Sequence, residues 1–175
     1  MRKGMLVLTV VLVSLLTTAV FGEWTLTYFT DEMTGQRTWY ASSPISYPNS
    51  VMNFPYADAC AWLIVLYNGE NDLPLVLFNH RLIPTFSNTS IGDGYYLLST
   101  RVKWNNSVEQ MEFYQPILGN GLFFIDYKRA TKMIRASKTM RIELNWLGNG
   151  LVYFDFDLTG ASKAIDNLHA VYGKK

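Results

Sequence analysis

The C-terminal part of the chain, from residue 143 to residue 169, concentrates side chains that can do chemistry. Glu143, Asp155 and Asp157 are carboxylates of the kind that serve as general acids and bases or as metal ligands. Each of them, however, alternates with apolar residues at a period of two, which is typical of a β-strand. We therefore predict that these acids face solvent on a hairpin and form no catalytic centre.

The chain has two histidines, His80 after a predicted strand and His169 in a predicted terminal helix. Either histidine needs a carboxylate to orient its ring for Ser-His-Asp catalysis or zinc binding, and Asp72, Asp126 and Asp166 are the candidates. The spacings of zinc proteases, nucleophile elbows and P-loops do not occur in the sequence. We favour structural histidines, with no catalytic residues, no metal site and no cofactor. The alternative is a small periplasmic hydrolase that uses His80 and a carboxylate.

Cys60 is the one cysteine of the chain, so an intramolecular disulfide is excluded. It lies in the segment DACAWLIV, whose small and apolar residues supply no neighbouring cation to lower the thiol pKa. We predict a buried structural thiol. The alternative is a disulfide between two chains.

Basic residues cluster between positions 128 and 141 and form the main charge asymmetry of the chain. The segment 126–137 has helical periodicity, with apolar residues on one face and basic residues on the other. This pattern is typical of a helix that packs on a sheet with its apolar face and exposes its basic face to solvent. The functional hypothesis is an anion site for an acidic glycan, a lipid headgroup or an acidic protein patch, formed by Lys128, Lys132 and Arg135.

Aromatic residues make up 15% of the chain, and most of them are expected to fill the core of a β domain. The segment 42–58 is different because its three prolines remove hydrogen-bond donors and indicate an exposed connection. Backbone polar groups of such a loop are hard to bury. We therefore predict that Tyr47, Phe54 and Tyr56 are exposed and bind a partner.

Short alternating apolar segments dominate the rest of the chain and indicate a mainly β protein. Residues 161–168 repeat small and apolar side chains at helical spacing. We predict an antiparallel β-sandwich with a short amphipathic helix and a C-terminal helix. The predicted strands are 24–30, 36–42, 59–67, 73–80, 95–104, 120–127, 139–146 and 151–158.

The first 22 residues have the pattern of a signal peptide, because Arg2 and Lys3 precede an apolar run from residue 5 to residue 16. Cleavage is predicted before Glu23, and the alternative is a retained N-terminal anchor. Residues 23–175 then form a single β-rich domain. Two of the 15 basic residues lie in the signal peptide, so 13 remain against 14 acidic residues, which provides no general attraction to nucleic acid.

Five segments, spread over most of residues 24–169, carry a resemblance to known proteins in their layout: DEMTGQRTWYAS, AWLIVLYNGENDLPLVL, YYLLSTRVKWNN, ATKMIRASKTMRIELNW and YFDFDLTGASKAIDNL. Through these segments the chain resembles a loose superfamily of exported bacterial proteins that includes the invasion-associated locus B proteins and an accessory protein of type VI secretion. The resemblance implies a small β-sandwich that acts outside the cytoplasm without enzymatic activity. It carries over no functional residues, and the paired cysteines of that pattern are missing from this sequence.

These observations together predict an exported, non-catalytic binding or accessory protein of the bacterial periplasm or cell envelope, either periplasmic or secreted. Its expected partner is a protein or a glycan. Nucleic acid is not expected as a partner, and neither is a stable membrane span after removal of the signal peptide.

Overall fold

The computed structural model describes residues 23–80, 90–92, 94–117, 119–146 and 148–172, with side chains described outside residues 90–92. The predicted signal peptide, residues 1–22, lies outside the described residues. Within the described part, neither helix has the length and hydropathy of a membrane-crossing segment.

The described residues form a mainly β structure, as the alternating pattern predicts. Two helices interrupt the strands, one in the middle of the chain and one near its C-terminal end. The strands are β1 (Thr25–Thr30), β2 (Arg37–Ser42), β3 (Ala61–Tyr67), β4 (Asp72–Phe78), β5 (Ser90–Gly92), β6 (Tyr95–Trp104), β7 (Ser107–Pro116), β8 (Gly121–Phe124), β9 (Thr139–Trp146) and β10 (Gly150–Asp157). The helices are α1 (Tyr127–Ala136) and α2 (Ala161–Tyr172).

All these strands belong to one antiparallel sheet in the order β1-β2-β3-β4-β8-β7-β6-β9-β10, and β5 pairs with β6. The short strand β8 pairs with β4 on one side and with β7 on the other, so the two halves of the sheet are continuous. The predicted two-sheet sandwich is therefore not confirmed. The structure has one curled sheet instead.

The curl allows a single sheet to bury its own inner face. Phe78 of β4 lies 5.3 Å from Phe154 of β10 and 5.5 Å from Trp146 of β9, measured between ring centroids. β4 is distant from β9 and β10 in the sheet order, yet all three rings are buried and Phe78 meets the other two edge to face. Aromatic contacts of this kind add stability beyond the area that they bury. The concave side of the sheet is therefore packed core.

Residues 43–60, which we call the connecting loop, bring the two halves of the curled sheet together. Ser46 forms an antiparallel bridge with Ala61 at the start of β3, and Pro48 forms one with Phe154 of β10. The indole N–H of Trp24, just before β1, donates to the backbone carbonyl of Asp157 at 2.9 Å. The outer edge of β10 is thus partly occupied by other parts of the chain.

Both helices pack through their small and apolar residues. Helix α1 begins after Asp126, whose side chain accepts a hydrogen bond from the backbone N–H of Arg129 at 3.0 Å, as expected of an N-cap. Ala130 and Ile134 of α1 are fully buried. Helix α2 buries Ala161, Ala164, Ile165 and Leu168, which confirms the helical spacing predicted for this segment.

Candidate functional site

The C-terminal carboxylates lie on the convex side of the sheet, as the period of two predicts. Every apolar residue that alternates with them is buried, from Met140 to Trp146 in β9 and from Val152 to Phe156 in β10. Asp155 is 57% exposed at its side chain. The predicted hairpin is therefore confirmed, but the side chain of Glu143 is only 15% exposed, so the predicted contact with solvent holds for Asp155 and not for Glu143.

Two of these acids are held by arginines in paired hydrogen bonds. Asp155 accepts two hydrogen bonds from the guanidinium of Arg141, at 2.6 and 2.7 Å. Glu143 accepts hydrogen bonds from the guanidinium of Arg101 on β6, and the bond from Arg101 Nε is 2.9 Å long. The hydrogen bond from Arg101 holds the pKa of Glu143 below its usual range. Paired hydrogen bonds between a guanidinium and a carboxylate fix both groups in orientation.

Side chains of β6, β9 and β10 line up across the strands on the convex side, in an area that we call the charged face. The register places Lys103 opposite Arg141, and Arg141 opposite Asp155. Direct cross-strand neighbours of this kind interact with one another. The charged face has two rows, Arg101 with Glu143 and Tyr153, and Lys103 with Arg141 and Asp155.

His80 has a carboxylate partner, but not one of the three considered from the sequence. Its Nε2 lies 2.7 Å from Oδ1 of Asp58, and the hydrogen bond to His80 lowers the pKa of Asp58. The His80 ring also contacts the edge of the Tyr56 ring, with centroids 5.5 Å apart. Asp58 is 77% exposed at its side chain. The pair therefore lies at the surface and not at the base of a cleft.

Cys60 lies close to this pair, and its thiol is buried. Burial raises the pKa of the Cys60 thiol, and the negative charge of Asp58 raises it further. A nucleophilic cysteine needs the opposite shift, because the thiolate is the reactive form. The prediction of a buried thiol is confirmed. The described residues contain no group of three or more His, Cys, Asp or Glu residues placed to hold a metal ion.

His169 pairs with Asp72, one of the three predicted candidates, at 2.6 Å between Nε2 and Oδ1. Its ring lies 4.4 Å from the ring of Tyr67, and Tyr172 contacts the same tyrosine edge to face. Tyr67 ends β3 and Asp72 begins β4. These contacts connect the C-terminal half of α2 to the β3–β4 turn. The role of His169 is therefore structural.

The predicted anion site on α1 is only partly available. Lys128 and Lys132 are exposed. Arg135 instead donates to Asp166 of α2 at 2.7 Å and to the hydroxyl of Ser162 at 3.2 Å, and its side chain is only 27% exposed. Arg135 thus connects the two helices, and Asp166 compensates its positive charge. Anion binding by Lys128 and Lys132 stays a prediction.

Tyr47 and Phe54 of the connecting loop are exposed, at 63% and 93%, as predicted. The exposure predicted for Tyr56 is wrong, because only 9% of this residue is exposed. Turns on either side, in which the N–H of Tyr56 donates to Asn53 and the N–H of Ala59 donates to Tyr56, direct the ring inward. There it packs against Trp146 with centroids 5.3 Å apart.

The sequence reasoning missed Val51, which is 94% exposed, and Leu151 of β10, which is 55% exposed. Val51 lies between Asn49, whose N–H donates to Tyr153 at 3.0 Å, and Asn53, whose N–H donates to Asn149 Oδ1 at 2.6 Å. The loop therefore runs past Leu151 between these two attachments. The signal for Val51 was an apolar residue in a proline-rich loop. We call Tyr47, Val51, Phe54 and Leu151 the loop platform.

The backbone on either side of Val51 is fixed, to β10 through Asn49 and to the β9–β10 turn through Asn53. Tyr153 returns a hydrogen bond to the side chain of Asn49 at 2.9 Å, and the Asn53 amide donates to the carbonyl of Gly148 at 3.2 Å. Met52, next to Val51, is only 2% exposed and contributes to the core. The exposed side chains are thus presented from a backbone that is anchored by hydrogen bonds and by packing.

An open groove of about 780 Å³ lies where the connecting loop meets the charged face. Pro44 and Ile45 form one wall, and residues of β6, β9 and β10 form the other. Asp155 and Asp157 line this groove, but Glu143 does not, so the three acids do not meet in one closed cleft. The charged side chains along the groove are Lys103, Lys138, Arg141, Asp155 and Asp157.

A scan against protein-family models found no match to this chain, and neither did searches of curated proteins and of solved structures. The resemblance to exported bacterial proteins therefore stays a prediction.

Proposed function

We propose that the protein is an exported, non-catalytic binding protein of the bacterial periplasm or cell envelope that recognises a protein partner through the loop platform. The observation that supports this proposal is the exposure of two large apolar side chains, Val51 at 94% and Phe54 at 93%, on an anchored loop. Apolar groups of this size are favourable contacts once a partner removes them from water.

The anchoring of the loop supports binding as much as the exposure does. A loop that is already ordered loses little conformational entropy when a partner binds, so more of the contact energy remains as affinity. Met52 and the bonds from Asn49 and Asn53 provide this order before any partner arrives. Loops on a rigid scaffold commonly carry recognition for this reason.

A protein partner fits the loop platform better than a glycan does. Val51 and Leu151 are aliphatic and offer no hydrogen-bonding group at their side-chain ends, whereas a sugar presents hydroxyls that need partners. Aromatic anchors such as Phe54 and Tyr47 are enriched among the residues that dominate protein–protein binding energy.

The second candidate is a small hydrolase that uses His80 and Asp58. The 2.7 Å contact between His80 Nε2 and Asp58 supports it, because a carboxylate can orient and charge-stabilise an imidazole. The raised pKa of the Cys60 thiol and the exposure of Asp58 favour the binding protein instead. Loss of a hydrolytic activity in a His80→Ala variant, with partner binding retained, would favour the hydrolase.

The test is affinity capture from a bacterial envelope fraction with protein expressed from the 175-residue sequence. A captured protein is purified and titrated against the wild type and a Val51→Ser plus Phe54→Ser variant. Because hot-spot residues each contribute on the order of 2 kcal/mol, we expect binding to weaken by at least about 100-fold.

The matched control replaces Met33 and Val108, which are 94% and 55% exposed and lie outside the loop, with serine. This variant should bind as the wild type does. The proposal is wrong if no protein is captured by the wild type, or if the loop variant binds the captured protein with unchanged affinity.

A further inference from the structure

On the charged face both arginines are paired with carboxylates, whereas the lysine beside them has no carboxylate partner. Arg101 is bonded to Glu143, and Arg141 is bonded to Asp155. Lys103 lies opposite Arg141 on one side and opposite Val108 of β7 on the other, so its cross-strand neighbours provide no carboxylate. Among the described residues no ion pair is formed by Lys103. Its ammonium is therefore available to pair with a ligand.

Lys138 approaches the same groove from the residue that precedes β9. Its backbone is fixed, because its N–H donates to the side chain of Asn105 at 2.8 Å and its carbonyl accepts from Leu158 at 2.8 Å. Its side chain is exposed and forms no ion pair within the part of the chain that the structure describes. The groove thus has two free ammonium groups that reach it from separate elements.

The rest of the lining supplies hydrogen-bonding groups and an apolar wall. Asp157 accepts a hydrogen bond from the backbone N–H of Thr159 at 2.8 Å, which orients its carboxylate beside the groove. Thr139 and Thr159 contribute hydroxyls, and the opposite wall contains the half-exposed Ile45. The groove therefore combines cations, a hydroxyl-accepting carboxylate and an apolar surface.

We propose that this groove binds a sugar that carries one anionic group, either a carboxylate or a phosphate. Lys103 and Lys138 bind the anion, because an ammonium is a compact point charge that suits either group. Asp157 and the threonines bind the ring hydroxyls, and Ile45 covers the apolar C–H face of the ring. The two carboxylates of the groove disfavour a polyanion such as nucleic acid by repulsion. The volume of about 780 Å³ lies in the range of small-ligand sites.

The proposal goes beyond partner binding and uses no residue of the loop platform. It is tested with ¹⁵N-labelled protein, expressed from the 175-residue sequence, by following backbone amide signals during titration at low salt. The probes are D-glucuronate, D-glucose 6-phosphate, D-glucose and inorganic phosphate. We expect both anionic sugars to shift the amides of Lys138, Thr139 and Asp157 with dissociation constants in the millimolar range, about tenfold tighter than glucose or phosphate alone.

A Lys103→Gln plus Lys138→Gln variant should bind both anionic sugars at least about tenfold more weakly. The control is an Arg37→Gln plus Lys163→Gln variant, which removes the same charge from exposed positions outside the groove and should bind within about twofold of the wild type. Lysines exposed to this degree contribute little to folding, and the amide spectrum itself verifies the fold of each variant.

Four results would each overturn the proposal. Glucose that binds as tightly as glucuronate would remove the role of the anion, and phosphate that binds as tightly as the sugar phosphate would remove the role of the sugar. An equal loss of affinity in the Arg37 and Lys163 control would show that only the net charge of the protein matters. Absence of saturable shifts with any probe would exclude the site. Loss of partner capture in the loop variant affects none of these measurements, so the two proposals fail separately.

Discussion

Replacement of Tyr56 by alanine should destabilise the protein strongly, whereas replacement of Phe54 should not. The two aromatic residues are two positions apart in the same loop, yet 9% of Tyr56 and 93% of Phe54 is exposed. A buried tyrosine removes on the order of 150–200 Å² from water, which corresponds to about 4 to 5 kcal/mol at 25 cal/mol per Å².

The compactness of the unfolded chain reduces this figure by roughly 10–40%, so we expect a loss of about 3 to 4 kcal/mol for Tyr56→Ala. Part of this loss comes from the edge-to-face contact with Trp146 at 5.3 Å. The same change at Phe54 removes almost no buried surface and should alter the free energy of unfolding by less than about 0.5 kcal/mol.

Equilibrium unfolding in urea, followed by tryptophan fluorescence, measures both changes from the shift of the transition midpoint at a constant slope. Tyr56→Phe is the control for the hydroxyl group and should stay within about 1 kcal/mol of the wild type. If Tyr56→Ala and Phe54→Ala differ by less than about 1 kcal/mol, the loop is not divided into an inner and an outer face, and the basis of the loop platform is lost.

Three further predictions concern charge, the thiol and the N-terminus. Because Arg101 lowers the pKa of Glu143 below 4.5 in the folded protein, the stabilisation from this pair is present above that pH and disappears as the pH falls through the lowered value. Arg101→Gln should therefore reduce the free energy of unfolding at pH 7 and reduce it less at pH 2, as measured by urea unfolding; a loss that is equal at both pH values would contradict the pairing. Cys60 should react with a disulfide reagent at least about tenfold more slowly in the native protein than in urea, because its thiol is buried and its pKa is raised, and equal rates would contradict this burial. Protein recovered after expression in a bacterium should begin at Glu23, as determined by mass spectrometry of the intact chain, and a retained leader would support the anchor.

Periodicity in the sequence was sufficient for the C-terminal hairpin and failed for β7. In β9 and β10 the alternating apolar residues from Met140 to Trp146 and from Val152 to Phe156 are all buried, and Leu151 at the start of β10 is the exception. In β7 the apolar Val108 points outward with 55% exposure, and the polar Gln115 is buried. Only Met111 and Phe113 follow the expected alternation, and two residues are too few to indicate a strand of ten.

The order of the strands could not be predicted because alternation identifies the faces of a strand but not its neighbours. The pairings of β4 with β8 and of β6 with β9 connect segments that lie far apart in the chain. For the same reason the sequence offered three carboxylates for the two histidines, of which Asp72 pairs with His169. The partner of His80 was missed, since Asp58 meets His80 only after the connecting loop has turned back.

The curl of the sheet decides where recognition can occur. Because the concave side is filled by side chains from strands distant in the sheet order and from both helices, a ligand can reach only the convex side and the connections. The connecting loop also occupies the edge of β10 through Pro48 and Asn49, and an occupied edge no longer templates the addition of a foreign strand. Recognition at this end must therefore use side chains.

The connecting loop provides such side chains without weakening the core, since Met52 and Tyr56 face inward while Val51 and Phe54 face outward. Substitutions at the outer positions can consequently change the partner while the fold is preserved, which is the property expected of a binding loop on a rigid scaffold.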